Sequence, residues 1–140
     1  MYELIYRSVA SPNLHVADID KILETSRDFN SKNEITGCLL FHNNEFIQIL
    51  EGEKTILQAL YANIKKDERH FNVILLTESE KDERIFPNWS MAYHKLSTKD
   101  NVNIDKLLFT NNFITLSELI DKPTHASRLF WYMAKQLLEQ

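Results

Sequence analysis

Glycine is nearly missing from this chain. Only Gly37 and Gly52 occur among 140 residues, so neither a Walker loop nor a GxGxxG dinucleotide turn can be assembled. A nucleotide-like ligand, if bound, is held without a glycine cradle. Cys38 is the one cysteine, which excludes an intramolecular disulfide and a cysteine-rich metal centre. His15, His42, His70, His94 and His125 fall at no metal-ligand spacing, so no metal is expected. No apolar run approaches the roughly 20 residues that span a bilayer, and the start, Met1-Tyr2-Glu3-Leu4, lacks the regions of a signal peptide. Basic excess is missing too: the net charge is −4, which disfavours a broad nucleic-acid footprint. The expectation is a cytoplasmic protein that binds neither nucleic acid nor membrane.

What is present reads as one α+β unit with a helical tail. Residues 2–8 alternate, with Tyr2, Leu4, Tyr6 and Ser8 on one face and Glu3, Ile5 and Arg7 on the other, which predicts a strand. Asp18 is a candidate helix cap. From there Ile19, Ile22, Leu23, Ser26, Phe29 and Asn30 recur at helical spacing, predicting an amphipathic helix over 18–32. Strands over 35–42 and 45–51 flank Asn43-Asn44, a pair suited to a tight hairpin. A second helix is predicted over 54–67, with Ile56, Leu57, Leu60, Tyr61 and Ile64 on its apolar side. Val73-Ile74-Leu75-Leu76 reads as a short buried strand, the charged run Glu78 to Arg84 as a solvated loop, and 90–95 as a further strand.

The order βαββαβ with an appended β is the ferredoxin-like arrangement. Both helices would pack on one sheet face and leave the other apolar. Two tail helices are expected near 103–110 and 124–138. Leu129, Trp131, Tyr132, Met133 and Leu137 would cap that open face or meet another subunit. Residues 1–97 thus form the domain proper and 98–140 a helical extension packed on it. Cys38 reads as a small buried hydrophobe.

Three polar side chains fall on faces that periodicity assigns to the interior. Asn30 follows Ile22 by eight residues on the first helix, Gln48 shares a strand face with Phe46 and Leu50, and Tyr6 shares one with Leu4. Each has an ordinary structural reading, such as a helix-end cap for Asn30. Leaving a buried amide unpaired costs on the order of 1–3 kcal/mol, so these groups must bond each other, backbone, water or a ligand. Together they point to a polar pocket between helices and sheet, suited to a planar ligand with amide-like edges.

The sequence resembles the BLUF family of flavin photoreceptors over about residues 2–95. The resemblance rests on Leu4-Ile5-Tyr6-Arg7-Ser8, Phe29-Asn30-Ser31-Lys32-Asn33-Glu34-Ile35-Thr36-Gly37, Phe46-Ile47-Gln48-Ile49-Leu50-Glu51-Gly52, Lys66-Asp67-Glu68-Arg69-His70 and Trp89-Ser90-Met91, in that order. The length resembles that of the short stand-alone, PixD-like members. The resemblance implies FAD, or FMN or riboflavin, bound non-covalently between the two helices. Gln48 would contact the flavin N5/O4 edge and Tyr6, and Asn30 the pyrimidine edge. Ile22 and Ile64 would sandwich the ring. Asp67, Arg69 and His70 would surround the flavin and its ribityl-phosphate side. Asn63 stands near the flavin O2, where members often carry Arg or His. Trp89 and Met91 match a pair that exchanges places near the pocket.

The implied activity is photochemical. Tyr6 would give the excited flavin an electron and a proton through Gln48. Gln48 would then rearrange by rotation or tautomerisation, and the absorption band would move to the red. The implied output is a signal to a protein partner or within a homo-oligomer, not catalysis on a substrate. The competing classes are a ferredoxin-like nucleic-acid or metabolite-binding module without photochemistry, and a flavin enzyme.

Overall fold

The alternating pattern of residues 2–8 extends further than periodicity alone indicates. In a computed structural model, which describes residues 1–42, 44–86, 92–95 and 124–138, the first strand β1 is Tyr2–Ala10. It is followed by helix α1 (Val16–Lys32), β2 (Thr36–His42), β3 (Glu45–Gly52), helix α2 (Lys54–Lys66), β4 (His70–Glu80), β5 (Ala92–Lys95) and helix α3 (His125–Leu138). The sheet order is β4-β1-β3-β2-β5. β1, β2, β3 and β4 pair antiparallel in the ferredoxin-like order, and β5 joins β2 in parallel.

Local chemistry explains the element ends. The N-cap of α1 lies three residues before the expected one: it is His15, and Asp18, at N3, accepts from the His15 N–H at 3.0 Å. At the other end Asn33 caps the helix, its Nδ2 donating to the Phe29 carbonyl at 2.8 Å. Glu53 caps α2 by accepting from the Ile56 N–H at 3.0 Å. Between β2 and β3, Asn44 adopts φ +62°, the conformation that short polar residues tolerate, while Asn43 lies outside the described residues. Gly37 is required by close approach: a Cβ there would lie 2.0 Å from the Ile49 carbonyl oxygen across the β2–β3 pair.

Burial separates into two layers. Leu4, Tyr6, Leu39, Phe46 and Leu50 pack with Ile19 and Leu23 of α1 and Leu57 and Tyr61 of α2. On the opposite face Ile5, Cys38, Leu40, Ile47 and Ile49 pack with Ile85, Phe86 and α3. Burial pushes the Cys38 thiol well above its ordinary range. α3 therefore covers the face that the first two helices leave open: Leu129, Trp131 and Met133 pack against this layer, while its buried centre falls on a neighbouring stripe. Ala126, Phe130 and Ala134, at i, i+4 and i+8, are fully buried, whereas Tyr132 points outward. Thr124 and Ser127 bond reciprocally at the start of α3, backbone N–H to side-chain oxygen in both directions, at 2.9 and 3.1 Å. The expected helix near 103–110 lies outside the described residues.

Two expectations are corrected. Val73–Leu76 lies in a strand but not a buried one: among the described residues β4 pairs with β1 alone, at the sheet edge, and Ile74 is exposed. Nor is Glu78 to Arg84 simply a solvated loop. Glu78–Glu80 continue β4, and the Lys81 side chain, 4% exposed, pairs with Glu3 and Glu51, both wholly buried. Arg84 donates to Thr36 Oγ1 at 2.8 Å and to the Glu34 carbonyl. Charge runs are drawn inward when buried carboxylates need counterions, since a buried charge is tolerated only when paired.

If α3 is an integral layer, Phe130→Ala will cost about 3–5 kcal/mol of stability in urea denaturation. Tyr132→Ala, at the exposed position, will change stability by less than about 0.5 kcal/mol. Equal effects would show that α3 does not pack as described.

Candidate functional site

β1 and β3 are central neighbours, and their register sets Tyr6 directly opposite Gln48. Both side chains stand on the helix-facing side, and both are buried. The Tyr6 hydroxyl donates to Gln48 Oε1. That bond fixes the amide orientation, with its oxygen toward the phenol and its NH₂ as the remaining donor end. Asn30, 2% exposed, reaches the same space from the last turn of α1. Its own backbone carbonyl accepts from the Asn33 and Ile35 N–H groups at 3.2 and 2.9 Å, which anchors the residue at the helix end.

These groups line one cavity of about 320 Å³ between α1, α2 and the sheet. Ile22 lines it from α1, and Asn63 and Ile64 from α2. Asp67 and Arg69, on the connection into β4, and His70, the first residue of β4, line it too. Every cofactor position expected from sequence therefore borders the same space as Tyr6. Trp89 and Met91 lie outside the described residues.

The polar rim is largely occupied with itself. Arg69 Nε donates to both Asp67 carboxylate oxygens at 2.9 and 3.0 Å. The hydrogen bond from Arg69 is the main reason the Asp67 carboxyl stays below its usual range, and Asp67 in turn raises Arg69. His70 is a strut: one ring nitrogen meets Ser8 Oγ at 2.8 Å and the other the Ile64 carbonyl at 2.5 Å. A carbonyl can only accept, so Nε2 carries a proton. The ring stands edge-on to Tyr6, with centroids 6.4 Å apart.

Sequence reading missed the His70–Ser8 bond, which ties β4 to β1 across 62 positions of sequence. It also missed Tyr61, whose ring lies 5.8 Å from that of Tyr6. Thr25 and Phe29 line the cavity mouth as well. The signal for Ser8 was its place on the Tyr6 face of β1; the position of His70 opposite that face was fixed only by folding.

A cavity of this size is at the lower end of small-molecule sites. Aliphatic Ile22 and Ile64 border it from different helices, and buried amides meet it from helix and sheet. Apolar walls with amide edges suit a tricyclic ring carrying carbonyl and N–H groups, so the residues present fit a flavin.

Fold and site together define a ligand-binding ferredoxin-like module that works without a glycine cradle. Residues 1–92 match the family described as BLUF, sensors of blue-light using FAD, and the chain belongs to that family. The photoactivated adenylate cyclase subunit beta of Euglena gracilis is 35% identical over 90 residues, which are 64% of this chain and 10% of that protein. The chain thus spans a small part of the length of that curated relative. The dark-state structure of BlrB, a BLUF protein, shares 34% identity at a TM-score of 0.65, covering 67% of this chain and 71% of that one. The photo-activated structure of BlsA shares 31% identity at a TM-score of 0.69, covering 99% and 95%.

Burial pushes the Tyr6 phenol well above its ordinary pKa of 10, with Tyr61 and Asp67 adding to the effect. The neutral phenol is therefore favoured by folding. Its contribution to stability is complete below about pH 10 and is lost as pH rises toward the folded-state value. Above pH 10, wild-type stability will fall more steeply with pH than that of Tyr6→Phe, by up to about 1.4 kcal/mol per pH unit. Identical slopes in chemical denaturation would mean that Tyr6 is not shielded.

Proposed function

We propose that this chain senses blue light in the cytoplasm through a non-covalently held flavin and passes its state to a protein partner or a second copy, without acting on a substrate. The observation that carries the reading is the buried Tyr6–Gln48 hydrogen bond beside Asn30, in a cavity that fits a flavin, within a BLUF domain. FAD is the flavin in the family's description; FMN and riboflavin share the ring that this cavity fits. No described helix is long and apolar enough to cross a membrane.

When bound, the flavin supplies absorption of blue light and an excited-state oxidant. The residues do the rest. In the dark Tyr6 keeps its proton, aimed at Gln48 Oε1. A phenol that gives up an electron becomes a strong acid, and Gln48 is the acceptor already in contact. When electron and proton return to Tyr6, Gln48 is left in a second arrangement, rotated or tautomerised, with its donor end differently directed. Asn30 would hold the ring edge, and Ile22 and Ile64 would keep water from the ring. Asn63 stands at the mouth of the cavity; Asp67, Arg69 and His70 form the rim that the cofactor's ribityl side would meet. Trp89 and Met91, three and five residues beyond Phe86 in sequence, are proposed to respond to the Gln48 change.

Purified protein will be yellow, will release free flavin on acid denaturation, and will show a small reversible red shift after blue light. Tyr6→Phe and Gln48→Ala will keep flavin and lose the shift, while Asn30→Ala will weaken flavin binding by about tenfold or more. A colourless protein, or a normal shift in Tyr6→Phe, would overturn the reading.

A further inference from the structure

The face of the sheet opposite the cavity holds a second polar constellation that photochemistry does not use. Glu51 stands three residues after Gln48 on β3 and is wholly buried. Its carboxylate accepts from two successive backbone N–H groups, Phe86 at 2.6 Å and Ile85 at 2.7 Å. Thr36 Oγ1 donates to it at 3.1 Å, and Lys81 Nζ donates as well. Lys81 is shared with Glu3 Oε2, 2.7 Å away. Arg84 adds a bond to the Glu51 carbonyl at 3.3 Å. The segment 81–86 is thus fastened to the ends of β1, β2 and β3 chiefly through one side chain.

The fastened end is also the contact with α3. Phe86, 1% exposed, meets Phe130 edge-on with centroids 6.1 Å apart and Trp131 at 6.0 Å. Odd and even residues of a strand face opposite sides, so one strand carries Gln48 toward the cavity and Glu51 toward the α3 layer. Charge-assisted bonds to backbone N–H groups are short, directional and strong, and they make the 85–86 backbone follow any movement of β3.

We propose that Glu51 is a positioning residue for output: it couples β3, which carries Gln48, to α3 by holding Ile85 and Phe86 beneath Phe130 and Trp131. This rests on the light-sensor reading above. A coupling element must be packed differently in the two states that it connects, so α3 differs in packing between dark and light, and the difference depends on the Glu51 carboxylate. Glutamine at 51 has the same shape but a single acceptor oxygen; its NH₂ group faces one of the two N–H donors and cannot receive it.

The test is hydrogen exchange over residues 125–138 of the flavin-loaded full chain, in darkness and under blue light, with the absorption difference spectrum recorded on the same samples. Wild type will show a light-minus-dark exchange difference in α3. Glu51→Gln will keep flavin and a red shift of full amplitude but lose that difference. Phe86→Leu, which retains both N–H bonds and trims the aromatic contact, will reduce it, and serves alone if Glu51→Gln does not fold. An α3 difference in Glu51→Gln equal to wild type overturns the proposal. So does loss of the red shift together with the α3 response, which would make Glu51 a support of the whole fold. A wild-type red shift with no α3 difference overturns the coupling alone, whereas absence of any red shift in wild type overturns the sensor reading beneath it.

Discussion

The pairing of β1 with β3 is the constraint on which the rest of the molecule depends. In the observed register Leu4 lies opposite Leu50, Tyr6 opposite Gln48 and Ser8 opposite Phe46 on the helix-facing side. Ile5 opposite Ile49 and Glu3 opposite Glu51 fall on the other. Because strand side chains alternate with a period of two, a slip of β3 by one residue against β1 would turn the β3 set toward the wrong layer. Gln48 would then meet Arg7 or Ile5 instead of a phenol, and Glu51 would face the cavity layer. One hydrogen-bond ladder thus fixes both the phenol–amide pair and the buried acidic pair on the reverse face.

Each layer handles its buried polar groups differently. On the helix side, Tyr6 and Gln48 satisfy each other, and the remaining amide chemistry borders a cavity that the side chains do not fill. On the α3 side Glu3 and Glu51 share one ammonium, that of Lys81. Glu51 is saturated by backbone N–H groups, Thr36 and Lys81. Unfilled space with buried amides suits a ligand; a carboxylate held by four donors suits a structural joint. The two arrangements lie back to back across a single strand, so the sheet itself connects the cavity with α3.

The edges of the sheet show the same logic at lower stakes. β4 is long but among the described residues pairs on one side only, and its outward residues include Glu78, Glu80 and exposed Ile74. Polar and charged side chains along an edge strand discourage further strand addition. At its start, His70 joins Ser8 of β1 to the last turn of α2, so the edge strand is braced where it borders the cavity.

The sequence alone was enough to read the order of elements up to β5, the apolar stripes of α1 and α2, and Tyr6, Gln48 and Asn30 as inward polar residues. Period-two and period-3.6 patterns report which way each side chain points, and an amide on an inward face stands out locally. The BLUF motifs were likewise legible as short runs in order. Tertiary structure alone decided what those residues meet. The opposition of Tyr6 and Gln48 is a matter of inter-strand register, and the strut from His70 to Ser8 spans distant positions. Lys81 and Arg84 read as solvated because hydropathy counts a charge without its partner; Glu3 and Glu51, brought side by side by β1 and β3, drew Lys81 inward. The stripe of α3 that seats Phe130 between Ala126 and Ala134 was set in the same way, by the shape of the sheet face and not by the hydrophobicity of Tyr132. Direction is a local property of a sequence, whereas proximity is created by folding.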